Sequence, residues 1–157
     1  MKNREAILQR VEYGIILVIL FLYVVPIAGN SFFLTQDGPS HVYNTYALKS
    51  LLLENSDILT TYYDYQIKNS PNWVVNLLYL GLLSIFSQTL SYKIVHLLIC
   101  ILLPTSILYL IRAIKKENVF LALFSVPFVY TLSFIIGFNN FCLGLSFAIF
   151  CFGYWLR

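Results

Sequence analysis

Charged residues are scarce in this chain, and cysteine is rarer still. Of 157 residues, 11% are charged, 59% are hydrophobic and three are cysteines. A soluble domain carries roughly 25% charged residues, so the composition excludes an ordinary soluble domain, and its high hydrophobic content excludes a disordered chain. The composition therefore predicts a membrane protein.

The sequence also lacks a large basic patch. Ten Lys and Arg residues stand against seven Asp and Glu, giving a formal net charge of +3. Nucleic-acid-binding proteins concentrate positive charge on one face, so no nucleic-acid partner is expected. The excess basic residues should instead orient helices in a lipid bilayer.

The three cysteines do not form a recognisable site. Cys100, Cys142 and Cys151 all fall in apolar stretches, with no His or second Cys at metal-ligand spacing. A disulfide framework or a zinc site is not expected. They are predicted to be free cysteines that pack as small hydrophobic side chains.

Long uncharged stretches predict five transmembrane helices. A helix that crosses a hydrocarbon core of about 30 Å needs about 20 mostly apolar residues. The predicted spans are residues 13–28, 73–86, 94–111, 119–136 and 141–156. The predicted fold is an all-α polytopic membrane helix bundle, with residues 1–157 forming a single membrane domain.

The last two predicted spans are separated by a turn. Residues 118–156 carry no charge, and as one helix they would extend about 58 Å, twice the thickness of a bilayer core. Gly137, Asn139 and Asn140 are residues typical of turns. We therefore predict a hairpin that reverses at these positions.

Basic residues near the N-terminus predict the orientation. Lys2, Arg4 and Arg10 precede the first apolar run, which indicates an uncleaved signal anchor with residues 1–12 in the cytoplasm. Residues 29–72 then lie on the outer face of the inner (plasma) membrane.

A second basic cluster conflicts with five full crossings. Three spans before residues 112–116 would place Arg112, Lys115 and Lys116 outside, against the positive-inside rule. Two explanations stay open: the short second segment does not fully cross, or later helices override the cluster.

The outer loop is predicted to contain an amphipathic interfacial helix over residues 40–55. Val42, Tyr46 and Leu53 fall on one stripe of such a helix, and Pro39 suits its first turn. The alternative is a surface-lying helix that only plugs the bundle.

Asp37 and His41 are the leading candidates for chemistry. A spacing of four residues places both on one face of a helical turn. A carboxylate with an imidazole partner can act as a general base or bind a divalent cation. The alternative is that Asp37 only caps the helix. If Pro39 takes the first helical position, Gly38 is the cap and the Asp37 side chain stays available.

Four other polar residues are weaker candidates. Asp64 is a second acid and Lys68 a phosphate partner, although both are also explained as solvated loop charges. Asn139 and Asn140 lie in an apolar region, where polar side chains need partners, and His96 shares this requirement.

Three segments of the chain together resemble a known family. Residues 35–41 (TQDGPSH), 71–73 (PNW) and 137–144 (GFNNFCLG), with the order of spans around them, resemble the N-terminal part of bacterial polytopic glycosyltransferases of the GT-C type. The resemblance covers nearly the whole chain.

The resemblance implies a catalytic role for an acid in the first outer loop. In that family this acid is the catalytic base or a metal contact, and Asp37 occupies the matching position. The sugar donor is usually a polyprenyl-phosphate lipid, and the acceptor here is unknown. Family members are generally much longer, so the chain is expected to be a fragment of a longer protein.

The leading hypothesis is therefore an inverting sugar transferase. Asp37 and His41, with Asp64 in reserve, are its predicted catalytic residues, and Lys68, Asn139 and Asn140 are its predicted donor-binding residues. A transporter component is an alternative, but it would place ionisable groups at the midplane of the bilayer. A non-catalytic membrane scaffold, in which Asp37 only caps a helix, is the third.

Overall fold

The chain is helical throughout the part that the structure describes. The computed structural model describes residues 2–31, 33–53, 57–64 and 72–157. In chain order the helices are α1 (Lys2–Gly29), α2 (Gly38–Leu53), α3 (Asp57–Tyr62), α4 (Trp73–Leu83), α5 (Gln88–Ile114), a 3₁₀ helix (Lys116–Phe128), α6 (Leu132–Ile136) and α7 (Asn139–Trp155). These ranges contain no β-strand, which confirms the all-α fold class.

Within the described ranges, α1 and α5 are the two helices that are long and apolar enough to cross a membrane. The apolar part of α1 has 25 residues and α5 has 27, which is about 38 Å and about 40 Å of helix. The two helices are antiparallel. Lys93 Nζ donates to the carbonyl of Ala28 at 3.3 Å, and the Arg112 guanidinium lies 4.7 Å from the Tyr13 ring centroid.

The 3₁₀ helix runs parallel to α1. Midway along it, Ala122 borders an apolar cavity with Tyr13 and Leu20. Two residues beyond its C-terminal end, the Tyr130 hydroxyl donates to the carbonyl of Tyr23, and the two tyrosine rings stack with centroids 5.2 Å apart. The chain therefore returns along α1 after α5.

α7 packs closely against α5 and runs in the same direction. A Cβ built on Gly153 would lie 2.9 Å from Cδ1 of Tyr109, so only glycine lets the two helices approach this closely near their C-terminal ends. The Tyr109 ring also packs on Phe150, with centroids 5.7 Å apart. The N-terminal end of α7 lies near the N-terminal half of α5, because Cys142 and Leu143 share one apolar core with Val95 and Ile99.

Two of the five predicted spans have a different structure from the one predicted. α4, the second, ends at Leu83 after 11 residues, about 16 Å and half of a bilayer core. The fourth is a 3₁₀ helix to Phe128, a turn, and the five-residue α6. The predicted first and third spans lie inside α1 and α5, and the fifth corresponds to α7. A five-span bundle is therefore not established.

Basic residues gather at one end of the bundle, which we call the basic end. Arg112 lies against the ring of Tyr13. Tyr13 itself follows the N-terminal basic residues closely in the sequence. The guanidinium of Arg157 lies 5.2 Å from the Tyr109 ring centroid, near the C-terminal end of α5. The opposite end carries Asp37, and we call it the cavity end.

α2 begins two residues before the predicted interfacial helix, and residues 54–55 of the prediction lie outside the described residues. Its buried residues are Gly38, Val42, Thr45, Ala47, Ser50 and Leu51. Leu53, the third residue of the predicted apolar stripe, is 65% exposed. α2 contacts both α4 and α5, so polar residues are covered as well. The short α3 is attached by a hydrogen bond between the hydroxyls of Tyr43 and Tyr63 at 3.3 Å, which raises the pKa of Tyr43.

One apolar core joins the helices at the cavity end. It includes Ile27 of α1, Tyr79 of α4, Ile99 of α5, Phe134 of α6 and Leu143 of α7. Burying a side chain of this size contributes about 1.5–3 kcal/mol. This core fixes the ends of five helices relative to one another, and the candidate site lies beside it.

Candidate functional site at the cavity end

The segment that carries Asp37 is bonded to the end of α6. The Gln36 N–H donates to the carbonyl of Ile135 at 3.0 Å, and the Asp37 N–H donates to the carbonyl of Ile136 at 2.8 Å. The last carbonyls of a helix have no partner inside it. These two bonds satisfy them and fix Asp37 next to the turn that leads into α7.

The turn between α6 and α7 is tight, as predicted. Gly137 has φ 97°, and its N–H and that of Phe138 donate to the carbonyls of Phe134 and Ser133 at 3.0 and 2.9 Å. This is a Schellman motif, which ends a helix in a left-handed residue. Phe138 (φ −72°, ψ 57°) then forms an inverse γ-turn, in which the Asn139 N–H donates to the carbonyl of Gly137 at 2.7 Å. The predicted turn is confirmed at Gly137, whereas Asn139 and Asn140, which were predicted to belong to it, are the first residues of α7.

A buried hydrogen-bond network holds the Asp37 segment against α5. The Tyr92 hydroxyl accepts from the Thr35 N–H at 2.8 Å and bonds the Thr35 hydroxyl at 2.9 Å. His96, which is fully buried, places Nε2 3.4 Å from Thr35 Oγ1 and Nδ1 2.9 Å from the carbonyl of Tyr92. His96 therefore has the partners that the sequence required. Sequence analysis did not identify Thr35 or Tyr92, because their roles depend on a contact 57 residues apart.

A cavity of about 410 Å³ lies beside Asp37. The residues that line it are Asp37, His41, Asn72, Phe138, Asn139, Asn140 and Phe141. The three sequence segments of the family resemblance each contribute to this lining. Small-molecule sites have volumes of about 300–1,000 Å³, so the cavity is large enough for a small ligand.

Asp37 precedes the first residue of α2 but does not cap it with its side chain. The backbone carbonyl of Asp37 accepts from the His41 N–H at 3.2 Å. Among the described residues, the half-buried carboxylate makes neither a capping hydrogen bond nor a salt bridge. α2 starts at Gly38, one residue earlier than if Pro39 led the helix. Asp37 and His41 both border the cavity, as expected from their spacing.

Asn140 has a structural partner. Its Oδ1 accepts from the Val75 N–H at 3.0 Å, in the first turn of α4, where N–H groups lack partners within the helix. Asn72 immediately precedes α4, has φ 77° and makes no side-chain cap bond. Asn140 thus supplies the cap of α4 from another helix, and its predicted role in donor binding stays a prediction.

Asn139 is fully buried, and its side-chain amide has no hydrogen-bond partner among the described residues. It is 0% exposed, and neither Oδ1 nor Nδ2 has a partner in the structure as described. An amide buried without hydrogen bonds costs about 1–3 kcal/mol. A polar group left in this state at the wall of a cavity calls for a functional explanation.

The remaining predicted site residues lie elsewhere. Asp64 is exposed after α3 and is not among the residues that line the cavity, and Lys68 lies outside the described residues. Within the described ranges, no three or more His, Cys, Asp and Glu residues are grouped so that they could hold a metal ion. A divalent cation in the cavity would therefore rest on Asp37, His41 and amide oxygens.

The described lining of the cavity thus contains one carboxylate, one imidazole, three amides and two aromatic rings. This set can move a proton and form hydrogen bonds with a polar ligand. Comparisons of the chain with protein-family models, with curated proteins and with solved structures gave no match.

Proposed function

We propose that the chain is the N-terminal membrane portion of a GT-C type glycosyltransferase, which moves a sugar from a polyprenyl-phosphate lipid to an acceptor on the outer face of the membrane. The observation that carries this proposal is the state of Asp37. Its carboxylate borders the cavity, is half buried and is not used as a helix cap among the described residues. A carboxylate in this state is available as a general base.

In the proposed reaction, Asp37 takes the proton of an acceptor hydroxyl. The hydroxyl oxygen attacks the anomeric carbon, the bond from that carbon to the phosphate oxygen breaks, and the lipid phosphate leaves with the electron pair. Attack opposite the leaving group inverts the anomeric centre. His41 borders the same cavity and orients Asp37.

We propose four crossings of the bacterial inner membrane instead of the five predicted from the sequence. These are α1, α5, the segment from the 3₁₀ helix through α6, and α7. With α4 kept at the outer surface, the N-terminus and Arg112 lie together in the cytoplasm. This arrangement satisfies the positive-inside rule and places the cavity at the outer face, where the acceptor is.

The experiment is the change Asp37→Asn in the full-length protein, assayed in membranes by transfer of labelled sugar from a panel of polyprenyl-phosphate sugars. Asn keeps the size of the side chain but cannot act as a base, so transfer should fall by about 100-fold or more. The thermal midpoint and expression should stay close to those of the unchanged protein.

Asp64→Asn is the matched control, because it makes the same change at an exposed carboxylate outside the cavity. It should keep full transfer. Surface glycans of cells that carry each variant provide the second measurement. Full transfer by Asp37→Asn would show that Asp37 is not the base, whereas absence of transfer by the unchanged protein would favour a scaffold.

A further inference from the structure

We propose that the cavity holds the sugar ring itself and not the phosphate, and that Asn139 is the residue that recognises the ring hydroxyls. This inference rests on the proposed function and names the part of the substrate that the cavity takes. It is carried by the unpartnered amide of Asn139.

The amide of Asn139 requires a partner that both donates and accepts. Its Nδ2 is a donor and its Oδ1 an acceptor, and neither atom has a partner in the part of the chain that the structure describes. A hydroxyl group donates and accepts at once. A fully ionised phosphate only accepts, and a metal ion is bound only by acceptors. Adjacent hydroxyls of a sugar ring satisfy both atoms of the amide, whichever way the amide is oriented.

The rest of the lining agrees with a neutral polar ligand. Among the described residues, those that line the cavity include no Lys or Arg, whereas phosphate sites are typically built from such side chains. The Asp37 carboxylate would repel a phosphate but accepts hydrogen bonds from hydroxyls. Phe138 and Phe141 provide apolar surface for the C–H groups of a sugar ring.

The same two aromatic residues explain how a ligand reaches a buried amide. Phe138 and Phe141 are neighbours of Asn139 in the chain and are 51% and 57% exposed. Side chains exposed to this extent are not held by tight packing, so their rings can move aside as the ligand enters.

The test uses the full-length protein in lipid nanodiscs, with free glucose, galactose, mannose and N-acetylglucosamine as probes and inorganic phosphate as the competitor. Binding is measured by saturation-transfer NMR and by the shift in thermal midpoint. At least one sugar should receive magnetisation from the protein and raise the midpoint. Phosphate should neither bind nor displace it.

Asn139→Leu is the decisive variant, because leucine matches asparagine in shape without polar atoms. It should weaken sugar binding at least tenfold and leave the thermal midpoint of the ligand-free protein equal or higher. Asn44→Leu, the same change at an exposed position of α2 outside the cavity, should keep sugar binding.

The inference is overturned if no sugar of the panel binds, if phosphate displaces the sugar, or if Asn139→Leu binds sugar as the unchanged protein does. A midpoint of Asn139→Leu far below normal would also overturn it, since the amide would then have partners within the fold. Sugar binding without sugar transfer would reject the transferase and leave this site standing. Sugar transfer that is unchanged by Asn139→Leu would reject the Asn139 site and leave the transferase standing.

Discussion

Gly38 and Gly137 lie in contact where the Asp37 segment crosses the turn before α7. A Cβ on Gly137 would lie 2.9 Å from the backbone nitrogen of Gly38, and one on Gly38 would collide with Thr35 Oγ1 and lie 2.6 Å from the Tyr92 ring. Contacts this short leave no space for a methyl group. The two glycines therefore set the distance between Asp37 and the start of α7.

Gly38→Ala should lower the free energy of unfolding by about 1–3 kcal/mol, because the added methyl group overpacks a buried hydrogen-bonded contact. Gly81→Ala is the matched control. Gly81 lies in α4 with no atom within 4 Å of a built Cβ, so alanine there should be neutral or stabilise by up to about 1 kcal/mol. Denaturant titration in detergent micelles measures both, and equal effects would contradict the contact.

Asn140→Ala should remove the cap that the Val75 N–H receives from α7. Loss of a helix cap costs about 1 kcal/mol, so amide exchange in the first turn of α4 should become several-fold faster. Asn140→Asp keeps an acceptor oxygen and should exchange at close to the normal rate. Unchanged exchange in Asn140→Ala would mean that the bond does not hold α4.

The sequence predicts some of these residues and not others, for a physical reason. Asp37 and His41 are four positions apart, and helix geometry alone places them on one face. Thr35 bonds Tyr92, and Asn140 bonds Val75, across 57 and 65 residues. Such contacts depend on how helices are arranged, which no local pattern encodes.

At the scale of the elements, α4 decides how the chain lies in the membrane. The Val75 N–H in its N-terminal turn donates a hydrogen bond to Asn140 beside the cavity. The next helix, α5, begins with Gln88, which borders a second groove with Ser31, close to the C-terminal end of α1. Both ends of α4 are therefore at the cavity end, as expected for a helix that enters the outer surface without crossing.

Ser84→Cys tests this placement. Ser84 follows α4 and is exposed, so its thiol should react with an impermeant reagent added from outside to cells whose outer barrier is opened. The background should carry Cys151→Ser, because Cys151 is exposed while Cys100 and Cys142 are buried. Labelling only after lysis would show that α4 crosses the bilayer.

The hydrophobic pattern alone could not separate α4 from a true span. Residues 73–86 are apolar enough to be interpreted as a membrane helix, and only the turn at residues 84–87 ends the helix after 11 residues. The 3₁₀ helix (Lys116–Phe128) was likewise predicted as α-helix, since both have similar periodicity. Length and polarity identified α1 and α5, because their apolar helices of 25 and 27 residues exceed the about 20 residues that cross a bilayer core.

At the scale of the whole molecule, two arginines lie at one end of the bundle, while Lys93 and Asp37 lie at the other. Arg112 lies against Tyr13 near the N-terminus, and Arg157 lies near the C-terminal end of α5. Asp37 is at the other end. This arrangement favours the first of the two explanations for the second basic cluster, a short second segment that does not cross.

Lys115→Cys, in the same Cys151→Ser background, should be protected from the impermeant reagent until the cells are lysed. Position 115 is at the basic end, which the positive-inside rule places in the cytoplasm. Ser31→Cys, at an exposed position beyond α1, is the matched control and should react from outside. A five-span arrangement predicts that Lys115→Cys reacts from outside instead.

The parallel pairing of α5 with α7 has a consequence for synthesis on the ribosome. α5 ends at Ile114 and α7 begins at Asn139, so at about 5–20 residues per second the partner of α5 starts to emerge about 1–5 s later. During that interval the polar groups that α5 buries in the finished bundle, Ser91, His96 and Ser106, lack their full cover. The nascent chain therefore passes through a stage at which an insertase or a membrane chaperone has a polar helix face to recognise.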